Sequence, residues 1–155
     1  MPRFQSALFA ARHGLAFRVL RMIKGQEAMM DRKHRRCTTL LLVDDNSEQL
    51  ELRAVVLQNS GFSVITATNP LEALAMMTRP PVCRVDIAVL DYEMPAMNGC
   101  VLAEYLRAGD SRIRIVLHSG ASHIPENEIR NVDVFVAKGD GVARLVEEIG
   151  TLAHC

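Results

Sequence analysis

Short apolar runs alternate with stretches of helical period from residue 38 to residue 153. Thr39–Val43 is branched and almost fully apolar, the pattern of a parallel strand buried on both faces. Asn46 or Ser47 can then cap a helix whose apolar face is Leu50, Val55, Val56 and Leu57, ended by Asn59-Ser60-Gly61. Residues 62–66 predict a second strand. Asn69-Pro70 starts a second helix, with Asn as cap and Pro in the first turn, turning Leu71, Leu74, Ala75 and Met77 inward; Pro80-Pro81 stops it. Residues 86–90 form the third strand and 91–98 a loop. Gly99 leads into a helix carrying Val101, Leu102, Tyr105 and Leu106. Residues 113–118 predict the fourth strand, 119–125 a loop and 126–131 a short helix at most. Residues 133–137 are the fifth strand, and 139–141 open a last helix with Val142, Leu145, Val146 and Ile149. Strands alternating with helices predict an α/β fold, a doubly wound parallel sheet covered on both faces. Right-handed crossovers leave the five-stranded order 2-1-3-4-5 as the natural topology.

That topology gives meaning to four polar punctuations, each just after an apolar run. They are Asp44-Asp45, Asp91, Ser119 and Lys138, at intervals of 46, 28 and 19 residues counted from Asp45. Parallel strands bring all four to the carboxyl edge of the sheet, where open α/β folds bind their ligands. Three carboxylates, a hydroxyl and an ammonium in one pocket are chemistry for a divalent metal and a phosphoryl group. His118 precedes Ser119, and strand alternation sends its side chain to the opposite face, as a packing or surface residue.

The formal net charge of zero hides two opposed parts. Residues 1–37 hold nine Lys/Arg and two acids, a net of +7, and residues 38–155 hold nine and sixteen, a net of −7. The step divides the chain into a basic N-terminal extension, 1–37, and an acidic domain, 38–155. No apolar run reaches the roughly 18–20 residues of a membrane span. Cys37, Cys83, Cys100 and Cys155 are scattered, without C-x-x-C or zinc-ligand spacing, and read as reduced thiols of a cytoplasmic protein.

The segment Leu41-Leu42-Val43-Asp44-Asp45, the loop Asp91-Tyr92-Glu93-Met94-Pro95-Ala96-Met97-Asn98-Gly99, then Ser119 and Lys138, resemble the receiver domain of two-component response regulators. The resemblance covers about residues 38–153 and implies a flavodoxin-like receiver fold. It implies that Asp91 is the phosphoacceptor, attacking the phosphohistidine of a sensor histidine kinase or histidine phosphotransfer protein in a phosphorelay. Mg²⁺ is the implied cofactor, held by Asp44, Asp45, Asp91 and the backbone carbonyl of Glu93, with Asp45 the direct ligand and Asp44 acting mainly through water. Ser119 is the implied hydroxyl donor to the phosphoryl group, Lys138 its ion-pair partner, and Phe135 the switch aromatic that turns inward with Ser119. Phe135 also reads simply as core. Glu93 and Ala121 lie by resemblance near the path of the hydrolytic water. Such a domain is a signalling module rather than an enzyme, with at most self-phosphorylation and self-dephosphorylation, and it works by docking on a downstream target protein. After the last helix the chain ends at Cys155, so no DNA-binding domain is expected in it.

Two rival functions stand beside this one. The first is a phosphorylation-independent docking module, a pseudo-receiver; the complete set Asp44, Asp45, Asp91, Ser119 and Lys138 argues against it. The second is a haloacid-dehalogenase-like phosphohydrolase, which needs a second Asp two residues after the nucleophile; position 93 is Glu. The basic extension has three readings: a disordered or mis-assigned start before Met29 or Met30, an amphipathic helix making weak membrane or nucleic-acid contact, and an organelle transit peptide. The family's usual Lys-Pro is Lys138-Gly139 here, and the stretch from Ser119 to Lys138 is short, so the fourth helix should be short or irregular. Placing the family's residue back, Gly139→Pro, is expected to change the rate of phosphorylation or the lifetime of the phosphorylated form; identical kinetics in both proteins would dismiss the idea.

Overall fold

Strand alternation divides the core into two layers, one on each side of the sheet. The structure, a computed structural model, describes residues 37–78, 84–121 and 123–154. Residues 1–36, the Pro80-Pro81 stop, Cys83 and Cys155 lie outside the described residues. The elements run β1 (Thr39–Val43), α1 (Ser47–Asn59), β2 (Ser63–Ala67), α2 (Pro70–Thr78), β3 (Ile87–Leu90), α3 (Gly99–Gly109), β4 (Arg114–Ser119), β5 (Val134–Ala137) and α4 (Val142–Ala153). Two 3-10 turns, Ile129–Asn131 and Lys138–Asp140, flank β5. The sheet is parallel throughout, in the expected order β2-β1-β3-β4-β5.

Leu40, Leu42, Ile87, Val89 and Val116 point to one face, against Leu50, Ala54 and Leu57 of α1 and Leu145 and Ile149 of α4. Leu41, Val43, Ala88, Leu90, Ile115 and Leu117 point to the other, against Ala73 of α2 and Leu102, Ala103 and Leu106 of α3. Both faces are dry, so β1, β3 and β4 carry apolar residues at successive positions instead of alternating ones. The register then aligns the strand ends. Val43 pairs with Ala67 and Leu90, Leu90 with Leu117, and Ser119 with Ala137.

The first three helices start on asparagines. Asn46 accepts the Gln49 N–H at 3.0 Å, Asn69 that of Glu72 at 2.9 Å and Asn98 that of Val101 at 2.9 Å. Glu72 closes a reciprocal cap by accepting the Thr68 N–H at 2.7 Å.

The inward helix faces differ from the expected ones in one consistent way. On α1 the buried residues are Leu50, Arg53, Ala54 and Leu57, while Val55 is 52% exposed and Val56 half-buried. On α2, Pro70 and Ala73 face the sheet and Leu71 is 67% exposed. On α3, Cys100 and Ala103 join Leu102 and Leu106 inside, and Val101 and Tyr105 are exposed. Small residues let each helix lie close to the sheet, and the bulkier neighbours fall on the outer flank. Strand limits shift by a residue: β2 and β4 start and end one later than expected, and β3 and β5 start one later. Residues 126–131 form only the single 3-10 turn Ile129–Asn131. The expected helix opening at 139–141 is the turn Lys138–Asp140 followed by Gly141 at φ 81°, and α4 begins at Val142.

Gly99 is where the fold leaves no room. A Cβ there would strike the carbonyl oxygen of Asp91 and approach a Leu117 methyl to 2.9 Å. Its N–H donates to Tyr92 O at 3.0 Å, clamping the start of α3 to the loop that follows β3. Gly99→Ala is expected to cost about 1–3 kcal/mol of unfolding free energy in urea, the usual range for overpacking. A loss below a few tenths would mean that the loop yields freely.

Candidate functional site

The backbone ladder runs past the strand ends and fixes the acidic residues. The Asp44 N–H donates to Ala67 O at 3.3 Å, and the Asp91 N–H to Val43 O at 2.9 Å. Neighbouring strands therefore deliver Asp44 and Asp91 side by side, and Lys138 arrives at the end of β5. A cleft of about 830 Å³ at this edge is lined by Asp44, Asp45, Asp91, Glu93 and Lys138, together with Gln49, Leu52, Arg53, Val56, His118 and Val142.

Asp44 is 1% exposed and accepts three hydrogen bonds. Its Oδ1 accepts the Asn46 N–H at 2.9 Å; its Oδ2 accepts from the Arg53 guanidinium and from Lys138 Nζ at 3.2 Å. Lys138 Nζ also donates to Asp91 Oδ2 at 2.8 Å, so one ammonium bridges the two carboxylates. Burial pushes the Asp44 carboxyl up, but Arg53, the Asn46 N–H and Lys138 outweigh it and hold it below the ordinary value. At Asp91 the order reverses. Burial raises its pKa by more than the Lys138 hydrogen bond and charge lower it, and the Asp44 charge adds to the rise.

Asp45 is exposed at the rim, yet Asp44, Asp45 and Asp91 each present an oxygen within 4.8 Å of the others. This donor set is all oxygen and suits a hard divalent cation such as Mg²⁺. Glu93 lies on the wall of the same cleft. Two of the sequence candidates do not line it. Ser119 is fully buried at the end of β4, and its Oγ accepts the Ala121 N–H at 3.0 Å. Phe135 is 46% exposed, which corrects the reading of it as core: β5 is an edge strand, and among its residues only Val136 is buried.

Three residues in or beside the site were not singled out from sequence. Arg53 lies on the inward face of α1, where an arginine interrupting Leu50, Ala54 and Leu57 soon after an acidic pair was the available signal. Glu128 accepts from Tyr92 Oη at 3.0 Å and from Asn98 Nδ2 at 3.3 Å, tying the loop after Asp91 to the segment that replaces a fourth helix. No local signal marked it, since its partners are 36 and 30 residues away. Gln49 accepts from the second Arg53 nitrogen at 3.0 Å.

His118 faces the α1 layer as alternation requires, but it is buried, 4% exposed, and neither ring nitrogen has a hydrogen-bond partner. Burial, then the Arg53 and Lys138 charges, push its pKa down from 6.5 to about 4. The imidazole is therefore held neutral in the fold and free to protonate in the unfolded chain. Its contribution is complete above pH 6.5 and is lost as pH falls from 6.5 toward about 4. Unfolding free energies of wild type and His118→Gln, compared at pH 7 and pH 5, should show roughly 1–2 kcal/mol more acid loss in wild type. Parallel pH profiles would place the acid sensitivity elsewhere.

A family profile described as the response regulator receiver domain matches residues 40–149. The transcriptional regulatory protein PrrA of Mycobacterium tuberculosis is 32% identical over 73% of this chain and 48% of its own length. The chain spans about half the length of the curated relatives it matches first. Among solved structures, the response regulator TrrA of Thermotoga maritima, in complex with Mg²⁺-BeF, is 29% identical with a TM-score of 0.67, covering 74% of this chain and 98% of that one. A second structure, of the histidine kinase ThkA in complex with TrrA, gives the same identity and TM-score over 74% of this chain and 97% of that one. With the profile covering most of its length, and the acidic pair, Asp91 and Lys138 at one sheet edge, the chain belongs to the response regulator receiver domain family.

Proposed function

We propose that Asp91 accepts a phosphoryl group from the phosphohistidine of a sensor histidine kinase or a histidine phosphotransfer protein, and that the modified domain docks on a target protein in a cytoplasmic two-component pathway. The observation that carries this reading is the bridging ammonium. Lys138 touches Asp91 at 2.8 Å and Asp44 at 3.2 Å, so a cation already stands where negative charge would gather.

In the transfer an Asp91 carboxylate oxygen forms a bond to phosphorus while the phosphorus–nitrogen bond breaks, and its electron pair returns to the imidazole of the donor. The product is an acyl phosphate that carries more negative charge than the carboxylate it replaces, so the transfer needs cations beside Asp91. Asp44, Asp45, Asp91 and the Glu93 carbonyl are the residues that would hold Mg²⁺, which supplies charge neutralisation at the phosphoryl oxygens. Lys138 follows the charge as it moves from the carboxylate to the phosphoryl group. Ser119 Oγ, now accepting from Ala121, would turn to donate to a phosphoryl oxygen, and Phe135 would move inward from its exposed position. Glu93, exposed on the cleft wall, and Ala121 would set how readily water attacks the acyl phosphate.

The test is intact mass after incubation with Mg²⁺ and acetyl phosphate. Wild type is expected to gain one phosphoryl group in a metal-dependent way and Asp91→Asn none. Absence of the gain, under conditions that label a control receiver, would leave phosphorylation-independent docking as the function.

A further inference from the structure

Arg53 is a costly residue for its position. It sits on the sheet-facing side of α1 beside Leu50, Ala54 and Leu57, and is only 6% exposed. Arginine is almost never buried unless paired. Here one guanidinium nitrogen pairs with Asp44 Oδ2 and another donates to Gln49 Oε1 at 3.0 Å, so the group is oriented as well as neutralised.

The consequence falls on Asp44. An ionised carboxylate offers about four acceptor sites. Three are taken, by the Asn46 N–H, Arg53 and Lys138. Three carboxylates then face two cations, a net of −1; without Arg53 the net is −2. A divalent ion entering this cluster meets a reduced field and a carboxylate already committed to a fixed guanidinium.

We propose that Arg53 is an internal counter-ion of the acidic cluster, holding Asp44 when no metal is present and lowering the site's affinity for Mg²⁺ by competing for that carboxylate. The proposal rests on the reading of Asp44, Asp45 and Asp91 as a metal site. It makes the domain's readiness for phosphoryl transfer sensitive to the concentration of free divalent cation, because the resting cluster is stable without one. A purely structural Arg53 would support folding equally at every Mg²⁺ concentration and leave metal affinity untouched.

Titration calorimetry with Mg²⁺ separates these, using wild type, Arg53→Met and Arg53→Lys. Arg53→Met is expected to bind Mg²⁺ about tenfold more tightly, the effect of one unit charge removed from the neighbourhood of a divalent ion at a solvent-facing site. It is expected to melt below wild type in EDTA, and to close that gap at saturating Mg²⁺. Arg53→Lys, which keeps the charge, should bind close to wild type. Equal or weaker Mg²⁺ binding by Arg53→Met would overturn the proposal while leaving the metal site intact. No binding by any of the proteins would overturn both. Should Arg53→Met fail to fold, the Arg53 Nε–H resonance of wild type decides: it should shift as Mg²⁺ is added, and a resonance unmoved at saturation counts against competition.

Discussion

A carboxylate taken out of water must be given a cation, and this requirement organises the carboxyl edge of the sheet. Asp44 and Asp91 are buried by the same parallel pairing that makes the core, since their backbone N–H groups continue the ladder. An unpaired buried charge costs several kcal/mol, a large share of the margin by which a domain is folded. Lys138 answers from the end of β5 and Arg53 from α1. Helix α1 is placed to do so: Asn46 turns the chain two residues after Asp44, donating its N–H back to that carboxylate, and the helix then climbs over the sheet until Arg53 returns above it. The cap, the helix direction and the ion pair are one device.

The second constraint is steric. The loop after Asp91 must bring its own backbone against the start of α3, and only Gly99 allows this. Met94, buried in the core, pins the middle of the loop, and Ala96 takes a left-handed φ of 69° to turn it. Tyr92 then reaches out to Glu128, which also receives Asn98. The residue next to Asp91 and the cap of α3 are thereby joined to the stretch before Ile129–Asn131. A short, irregular connection there is held by side-chain hydrogen bonds where a helix would have been held by its own backbone.

Much of this was legible because strand order and punctuation are local signals. Apolar runs located β1 and β3–β5, and the parallel sheet predicted that Asp44, Asp45, Asp91 and Lys138 converge. What sequence pattern missed was side-chain choice on the helices. Counting large apolar residues favoured Val55, Leu71, Val101 and Tyr105, whereas close packing selected Ala54, Pro70, Ala73, Cys100 and Ala103. Arg53 was missed for the same reason, since an arginine reads as solvent-facing until a buried partner is known. His118 went the other way. Its face was predictable by alternation, but its full burial depends on α1 and α4 closing over it.

Ser119 and Phe135 stand differently in the resting arrangement. The Ser119 hydroxyl already accepts the Ala121 N–H, so aiming it at the cleft means surrendering a buried hydrogen bond, a cost of about 1 kcal/mol or more. Phe135, half-exposed on an edge strand, leaves apolar surface in water, a cost that burial of the ring would remove. The short turn Ile129–Asn131 packs Ile129 on the core without a full helix above it.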